Sequence, residues 1–215
     1  MANEIKNIAI KNNVYITTTI NNETCNDVII NLSQWLQGLP FKEETPLTFA
    51  PFAELPAGTP VLNVYISSYG GDMDVAKSIL SLLNIAKAKN VIVKTYNMSN
   101  AHSGASMIAV SGTQGYRYMA HNAANGIHFG KHTETMSRLP EVPLMIEDME
   151  RVNQQMQDIY LENTKLTKKE LKKFFTTEGS GTLNAVQCLT KGICDYVITP
   201  KGWTNKIEDL KQQIR

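Results

Sequence analysis

Residues 61–71 read VLNVYISSYGG, and this stretch decides the fold class. Its first six residues are the β-branched and apolar run of a buried strand, and Gly70-Gly71 ends that run before an apolar helix. Strands and helices alternate elsewhere too, from a strand at 14–17 to a strand at 193–198. The sequence therefore predicts an α/β domain with mostly parallel strands.

Composition excludes several classes of protein. The 215 residues carry 21 Lys and Arg against 20 Asp and Glu, a net charge of +1 that leaves no basic field for nucleic acid. There is no signal-peptide core and no run of about 18 apolar residues. Three unpaired-looking cysteines suit a reducing compartment: Cys25, Cys188 and Cys194. We expect a soluble, cytoplasmic protein with neither a membrane nor a nucleic-acid partner.

The domain organisation follows from breaks in the periodic pattern. One domain is expected over residues 1–199, with a Pro-rich insertion at 37–60 that holds five of the eight prolines. Methionines and aliphatic residues at helical spacing predict a long amphipathic helix over 145–163. Residues 200–215 are expected to form a polar C-terminal tail.

Two glycine and serine motifs follow predicted strands and are candidates for chemistry. Gly70-Gly71 allows either a tight turn or main-chain N–H groups that hold a phosphate or an oxyanion, but it matches no nucleotide-binding pattern. Ser103, with Gly104 behind it, begins a helix after a strand. It is either a packing or N-cap residue or a nucleophile beside a free N–H group.

The histidines narrow these alternatives. His128 lies on a predicted short strand 25 residues after Ser103, a placement that suits a general base. His128 and His132 have the spacing of a helical metal pair, but the glycines around them argue against a helix, and we expect no metal. His102 is set aside as the base because adjacent side chains on a helix point apart.

In this order and spacing, the motifs resemble the ClpP family of serine peptidases, whose fold is shared with the crotonases. Residues 61–71 resemble the family's strand and its N-S-P-G-G turn, and residues 99–104 its G-x-A-A-S-M motif. Residues 112–117 are similar to its G-x-x-G-x-R, residues 127–128 to its I-H, and residues 183–195 to its closing motif. The resemblance implies a ClpP/crotonase-like spiral of ββα units in which the long helix protrudes as a handle.

The same resemblance implies the site residues. Ser103 is the expected nucleophile, His128 the base, and the N–H groups of Gly71 and Gly104 the oxyanion hole, with no metal or organic cofactor. Ser180 stands where the family carries its catalytic aspartate. Glu178, two positions away and longer, is the other candidate for orienting His128.

The resemblance also implies partners. A homo-oligomeric ring is expected, heptameric in the family, and protein or peptide substrates with it. The lost aspartate and arginine of the family's ring contact put stacking into a double ring in question. A AAA+ unfoldase is the family's partner, but the short N-terminal segment and the insertion at 37–60 argue against ordinary docking. A compact, divergent member suits a bacteriophage or another mobile genome.

Three functions remain at this point. The sequence favours a serine endopeptidase because Ser103 and His128 are retained at the right spacing. A catalytically weak or inactive ring subunit is the alternative, favoured by the missing aspartate. A crotonase-like acyl-CoA enzyme would use the same glycine N–H groups, but the Ser103–His128 match argues against it.

Overall fold

The computed structural model describes residues 6–39, 55–128, 142–176 and 181–214. The strands are β1 Ile8–Ile10, β2 Asn13–Ile16, β3 Val61–Ser68, β4 Ile92–His102, β5 Arg117–Ala120, β6 Ala124–Ile127, β7 Gly181–Asn184, β8 Tyr196–Thr199 and β9 Gly202–Thr204. The helices are α1 Asn22–Gln37, α2 Met73–Ala88, α3 Gly104–Val110, α4 Val142–Asn163, α5 Lys168–Thr176, α6 Ala185–Thr190 and α7 Ile207–Gln213.

All these strands belong to one sheet. Its main path runs β1-β2-β3-β4-β5-β8-β9, and β6 and β7 branch from β4. Strands β2, β3, β4, β5 and β8 are parallel, whereas β1, β7 and β9 pair antiparallel with their neighbours. The long strand β4 pairs with β5 through residues 95–97 and then with β6 through residues 100–102. The predicted α/β class with a mostly parallel sheet is confirmed.

Local sequence signals explain where the helices on the sheet begin. Asn21 caps α1 in a reciprocal capping box with Thr24, and α1 buries the apolar face expected from its 3.6-residue period. Asp72 caps α2 by accepting the N–H groups of Asp74 and Val75. Both helices pack on the face of β3 that carries its alternate buried residues, Leu62, Val64 and Ile66. This packing fixes the turn between β3 and α2.

The opposite face of the sheet carries a row of stacked tyrosines. Tyr15, Tyr65, Tyr96, Tyr118 and Tyr196 occupy paired positions on five adjacent parallel strands. Successive ring centroids lie 5.2, 4.8, 4.9 and 5.8 Å apart. Burial, and then the neighbouring Tyr65, raise the pKa of Tyr96 to about 12, so the Tyr96 hydroxyl is uncharged at neutral pH.

Helix α4 agrees with the sequence prediction, whereas the C-terminal segment is more ordered than the polar tail that was expected. The helix predicted over 145–163 is present as α4. Met156 is buried in this chain's own core, so the methionine face is not all free for a partner, although Leu144 and Ile146 are 67% and 52% exposed. Residues 202–213, expected as a polar tail, form β9 and α7, and α7 buries Leu210 in the core.

Two further expectations bear on the rest of the chain. Residues 40–54 of the Pro-rich insertion lie outside the described residues. None of the helices in the described ranges is long and apolar enough to cross a membrane.

Candidate active site

The candidate site lies at the carboxyl edge of the sheet, where three neighbouring parallel strands end. Strand β3 ends at Ser68 before Gly70-Gly71, β4 ends at His102 before Ser103, and β6 ends at Ile127 before His128. Strand β4 pairs with both β3 and β6, so the three ends meet. Ligand and catalytic sites of α/β sheets are found at such edges.

Ser103 occupies a strained junction. Its φ of 54° and ψ of −126° are unfavourable for a residue with a side chain, and its hydroxyl makes no capping bond to α3. Its N–H donates to the carbonyl of Gly126 at 2.9 Å, which ties it to β6. The other described non-glycine residues with positive φ, Lys11 and Asn90, lie in tight turns between elements. Strain at a strand-to-helix turn is the arrangement that exposes a nucleophilic serine in hydrolases.

The glycine pair is fitted directly against this junction. Gly70 has a φ of +88°, and a Cβ there would lie 2.8 Å from the Cβ of Ser103 and 3.1 Å from the nitrogen of Gly104. A Cβ on Gly71, at φ +149°, would clash with the backbone of Ile20. Glycine is therefore required at both positions, by backbone conformation and by space.

Two hydrogen bonds hold the turn after β3, and neither of them uses the N–H group of Gly71. The N–H of Gly70 donates to Ser68 Oγ at 3.1 Å, and the N–H of Asp72 donates to the carbonyl of Ile20 at 2.7 Å. The N–H of Gly71, between them, takes part in neither bond. The N–H of Gly104 is the first of α3 and has no acceptor within that helix. The turn and the helix start thus bring the two predicted oxyanion donors to the same edge.

Small residues allow α3 to pack closely against α2. All seven residues of α3 are buried, and a Cβ on Gly104 would lie 2.9 Å from the Cβ of Ala76 in α2. Gly104 therefore has a packing role as well as the role predicted for its N–H group. A methionine-sized side chain after Ser103 would require α2 and α3 to move apart.

The histidines lie at this edge in an unexpected combination. His128 directly follows β6, two residues after the carbonyl that binds the N–H of Ser103. His102 pairs with Gly126 across β4 and β6. Burial, and then the nearby His128, lower the pKa of His102. The structure therefore places both histidines at the same edge of the sheet as Ser103, although the sequence pointed to His128 alone.

A buried polar chain beneath the site was missed by sequence reasoning. The hydroxyl of Tyr160 in α4 donates to Ser106 Oγ at 2.9 Å, and Ser106 Oγ donates to Asn125 Oδ1 at 2.7 Å. The three side chains link α4, α3 and β6, and all are buried. Burial and the bond to Ser106 act in opposite directions on Tyr160, and burial prevails, so the pKa of its hydroxyl is raised. In the sequence, the polar residues at 106 and 125 among apolar neighbours are the available signal.

Three predicted residues are not placed. Glu178, Ser180 and His132 lie outside the described residues. The first residue after 177–180, Gly181, pairs with Ile127, which immediately precedes His128. In the described ranges, no group of three or more His, Cys, Asp and Glu side chains has the arrangement of a metal site.

The fold and this edge together define a class of protein. The Clp protease family matches residues 52–201, and the chain belongs to that family. A point mutant of ClpP1 from Listeria monocytogenes has a similar solved structure, with a TM-score of 0.67 and 17% sequence identity over 87% of this chain and 91% of that chain. At this identity the likeness concerns the fold, and it confirms the ClpP fold expected from the sequence.

Proposed function

We propose that the chain is a serine endopeptidase with Ser103 as the nucleophile and His128 as the general base. The observation that carries the proposal is the strained backbone of Ser103 at a strand-to-helix junction against which Gly70 is fitted. Strain of this kind persists only where the surrounding structure imposes it, and it concentrates at functional sites. Membership of the Clp protease family supports a peptidase.

The reaction follows the acyl-transfer scheme for such a pair. Ser103 Oγ forms a bond to the carbonyl carbon of a peptide while its proton passes to His128. The carbonyl oxygen becomes an oxyanion, for which the N–H groups of Gly71 and Gly104 are the proposed donors. The C–N bond then breaks as His128 returns the proton to the amine. Water, deprotonated by His128, attacks the acyl-enzyme and releases Ser103.

The nucleophile is tested with a fluorophosphonate probe. We expect the probe to label Ser103 in the wild type and to leave Ser103→Ala unlabelled, with peptide hydrolysis lost as well. Ser99→Ala, at an exposed position of β4, is the matched control and should be labelled normally. Labelling of the Ser103→Ala variant at another serine would overturn the assignment. An unlabelled wild type would favour the alternative, an inactive ring subunit.

The family resemblance implies that the third catalytic residue lies in residues 177–180. On that basis, Glu178→Gln should slow labelling without altering assembly, because the carboxylate that orients His128 is lost. Ser180→Asp should speed labelling if position 180 is that of the family's aspartate. If both variants react at the wild-type rate, neither residue orients His128.

We also propose that the chain works as a self-assembled ring, heptameric as the family resemblance implies. The exposed Leu144 and Ile146 near the start of α4 support this, because apolar side chains in such a position are typical of a subunit contact. Sedimentation should give a mass several times 24.0 kDa. Replacing both residues with Gln should reduce it, and a wild-type monomer at working concentration would contradict the proposal.

A further inference from the structure

Ser106 is the only polar side chain in α3, and it is hydrogen-bonded on both sides. Its Oγ donates to Asn125 Oδ1 of β6 at 2.7 Å and accepts from the Tyr160 hydroxyl of α4 at 2.9 Å. The exposed fraction is 0% for Ser106 and 1% for Asn125. The bond from Ser106 to Asn125 therefore joins the first helical turn after Ser103 to the strand that precedes His128.

A second hydrogen bond joins the same two segments. The Ser103 N–H donates to the Gly126 carbonyl at 2.9 Å, one residue along β6 from Asn125. A single bond between two segments leaves them free to rotate about it, whereas two bonds at different points fix their relative orientation. We call these two bonds, Ser103–Gly126 and Ser106–Asn125, the β6–α3 clamp.

The clamp lies between the proposed nucleophile and the proposed base. Ser103 belongs to it on one side, and His128 follows Gly126 by two residues on the other. The strained φ of 54° at Ser103 persists only if the surroundings hold it. Apolar packing of the other α3 side chains is not directional, but a hydrogen bond requires its donor and acceptor to be aligned. The Ser106–Asn125 bond therefore sets the rotation of α3, and with it the position of Ser103 relative to β6.

We propose that Ser106 and Asn125 are positioning residues for the reaction. Their hydrogen bond holds the helix start that carries Ser103 against the strand end that precedes His128, so that nucleophile and base stay aligned through both acyl-transfer steps. Both side chains are buried, so neither touches the substrate, and no proton passes through their bond. The inference rests on the proposed function and deepens it, because it identifies the contact that aligns the two proposed catalytic residues.

Stability alone does not explain a polar pair at this place. Replacing both partners of a buried hydrogen bond with apolar groups of the same shape is often nearly neutral, whereas removing one partner leaves the other unsatisfied. An apolar pair between α3 and β6 would thus serve packing equally well. The polar pair adds a fixed direction, which matters here because displacement of a reacting group by about 1 Å can cost ~10²-fold in rate.

The first test compares Ser106→Thr with Ser106→Val by the rate at which a fluorophosphonate labels Ser103. Threonine and valine have nearly the same shape and differ in the hydroxyl. We expect the valine variant to react at least about 10-fold more slowly than the threonine variant, within the ~10²-fold that displacement of a reacting group costs. Equal labelling rates in the two variants would overturn the positioning role.

Ser111→Ala is the matched control because it removes another buried hydroxyl of the same region. Ser111 follows the other end of α3, and its Oγ donates to the Met107 carbonyl at 2.8 Å. Loss of this bond should destabilise the fold without slowing the labelling of Ser103. If the larger side chains at position 106 prevent folding, Ser106→Ala is compared with Ser111→Ala instead, and equal labelling rates would overturn the proposal.

The second test separates a slower reaction from a smaller folded fraction. The valine variant should reach the same final labelled fraction as the threonine variant, but more slowly. In peptide hydrolysis per labelled site it should have a lower kcat and an unchanged KM, because the clamp aligns the reacting groups and does not bind the substrate. A lower final labelled fraction with an unchanged rate, or a raised KM with an unchanged kcat, would overturn the positioning role.

The third test observes the clamp without activity. Because the Ser103 N–H is a clamp donor, its hydrogen exchange should be faster in the valine variant than in the threonine variant, whereas the amides of β3 should exchange alike in both. Equal exchange at Ser103 would overturn the clamp. An unlabelled wild type would refute the proposed function and the positioning role with it, whereas equal labelling rates in active variants would refute the positioning role alone.

Discussion

Two groups of residues at opposite edges of the sheet hold their polar atoms in opposite ways. At the amino edge of β5 and β8, the buried Arg117 and the partly buried Asp195 form an ion pair at 2.6 Å. Asp195 also accepts the N–H groups of Gly115 and Arg117, and Arg117 donates to the carbonyl of Asn163. At the carboxyl edge, Ser103 has a strained backbone and His102 Nε2 is buried without a partner in the described residues.

This difference indicates that the Arg117–Asp195 pair serves stability, whereas the residues around Ser103 serve the reaction. The ion pair joins β5, β8 and the end of α4, so it fixes the strands while its own groups are fully occupied. The strained edge depends on that rigidity, because strain relaxes unless the surroundings hold it. Changes at the amino edge should therefore alter unfolding, and changes at the carboxyl edge should alter the reaction.

The largest expected effect is at the amino edge. Asp195→Asn leaves the buried Arg117 guanidinium without its counter-charge, which should lower the free energy of unfolding by about 3–5 kcal/mol. Urea unfolding at a fixed protein concentration measures the change. Asp74→Asn, which breaks the exposed pair with Lys77, is the control and should have little effect. A large fall in the labelling rate of folded Asp195→Asn would contradict the assignment of stability to the amino edge and of the reaction to the carboxyl edge.

At the carboxyl edge, Gly70→Ala should affect the reaction more than the fold. The added Cβ would lie 2.5 Å from the His102 carbonyl and 2.8 Å from the Ser103 Cβ, and would displace the nucleophile and the adjacent N–H of Gly71. We expect labelling to fall by about 10²-fold or more, as for loss of an oxyanion donor. Gly58→Ala is a matched control because Gly58 has a similar φ of +84° with open space around it. Equal labelling rates in the two variants would contradict the prediction.

The buried chain under the site should have a smaller effect on both properties. Tyr160→Phe removes the hydroxyl that donates to Ser106 and keeps the ring, which should cost about 1 kcal/mol of unfolding free energy. Because Asn125 and Ser106 remain bonded, labelling of Ser103 should change less than in Gly70→Ala. Tyr15→Phe, at the exposed end of the tyrosine row, is the control, and equal stability of the two variants would contradict the prediction.

The comparison also shows what the sequence reveals and what it hides. The strand and glycine turn at 61–71 and the serine at the start of α3 were predictable because each is a local pattern. His102 was set aside by a helical rule, whereas it ends a strand, and its approach to His128 depends on the β4–β6 register. That register pairs residues 24 positions apart, and no local pattern encodes it. The three-residue strands β1 and β9 were missed because they are shorter than one reliable period.

The smallest expected effect is a pH dependence of stability at His102. Its pKa is lowered in the folded protein, so below about pH 6.5 the unfolded chain binds a proton that the folded chain resists. The free energy of unfolding should therefore fall as the pH drops from about 6.5 through the folded pKa, and should recover above it. His102→Gln lacks this loss, so acidification should destabilise the wild type more than the variant.

Glu170, whose pKa is lowered to about 2 chiefly by Lys191, loses stabilisation at lower pH in both proteins and cancels in the difference. Urea midpoints at pH 7.5 and pH 5.5, roughly one unit either side of a free histidine, measure it. Equal shifts of the urea midpoint in the two proteins would contradict the prediction, because they would mean that folding does not disfavour protonation of His102.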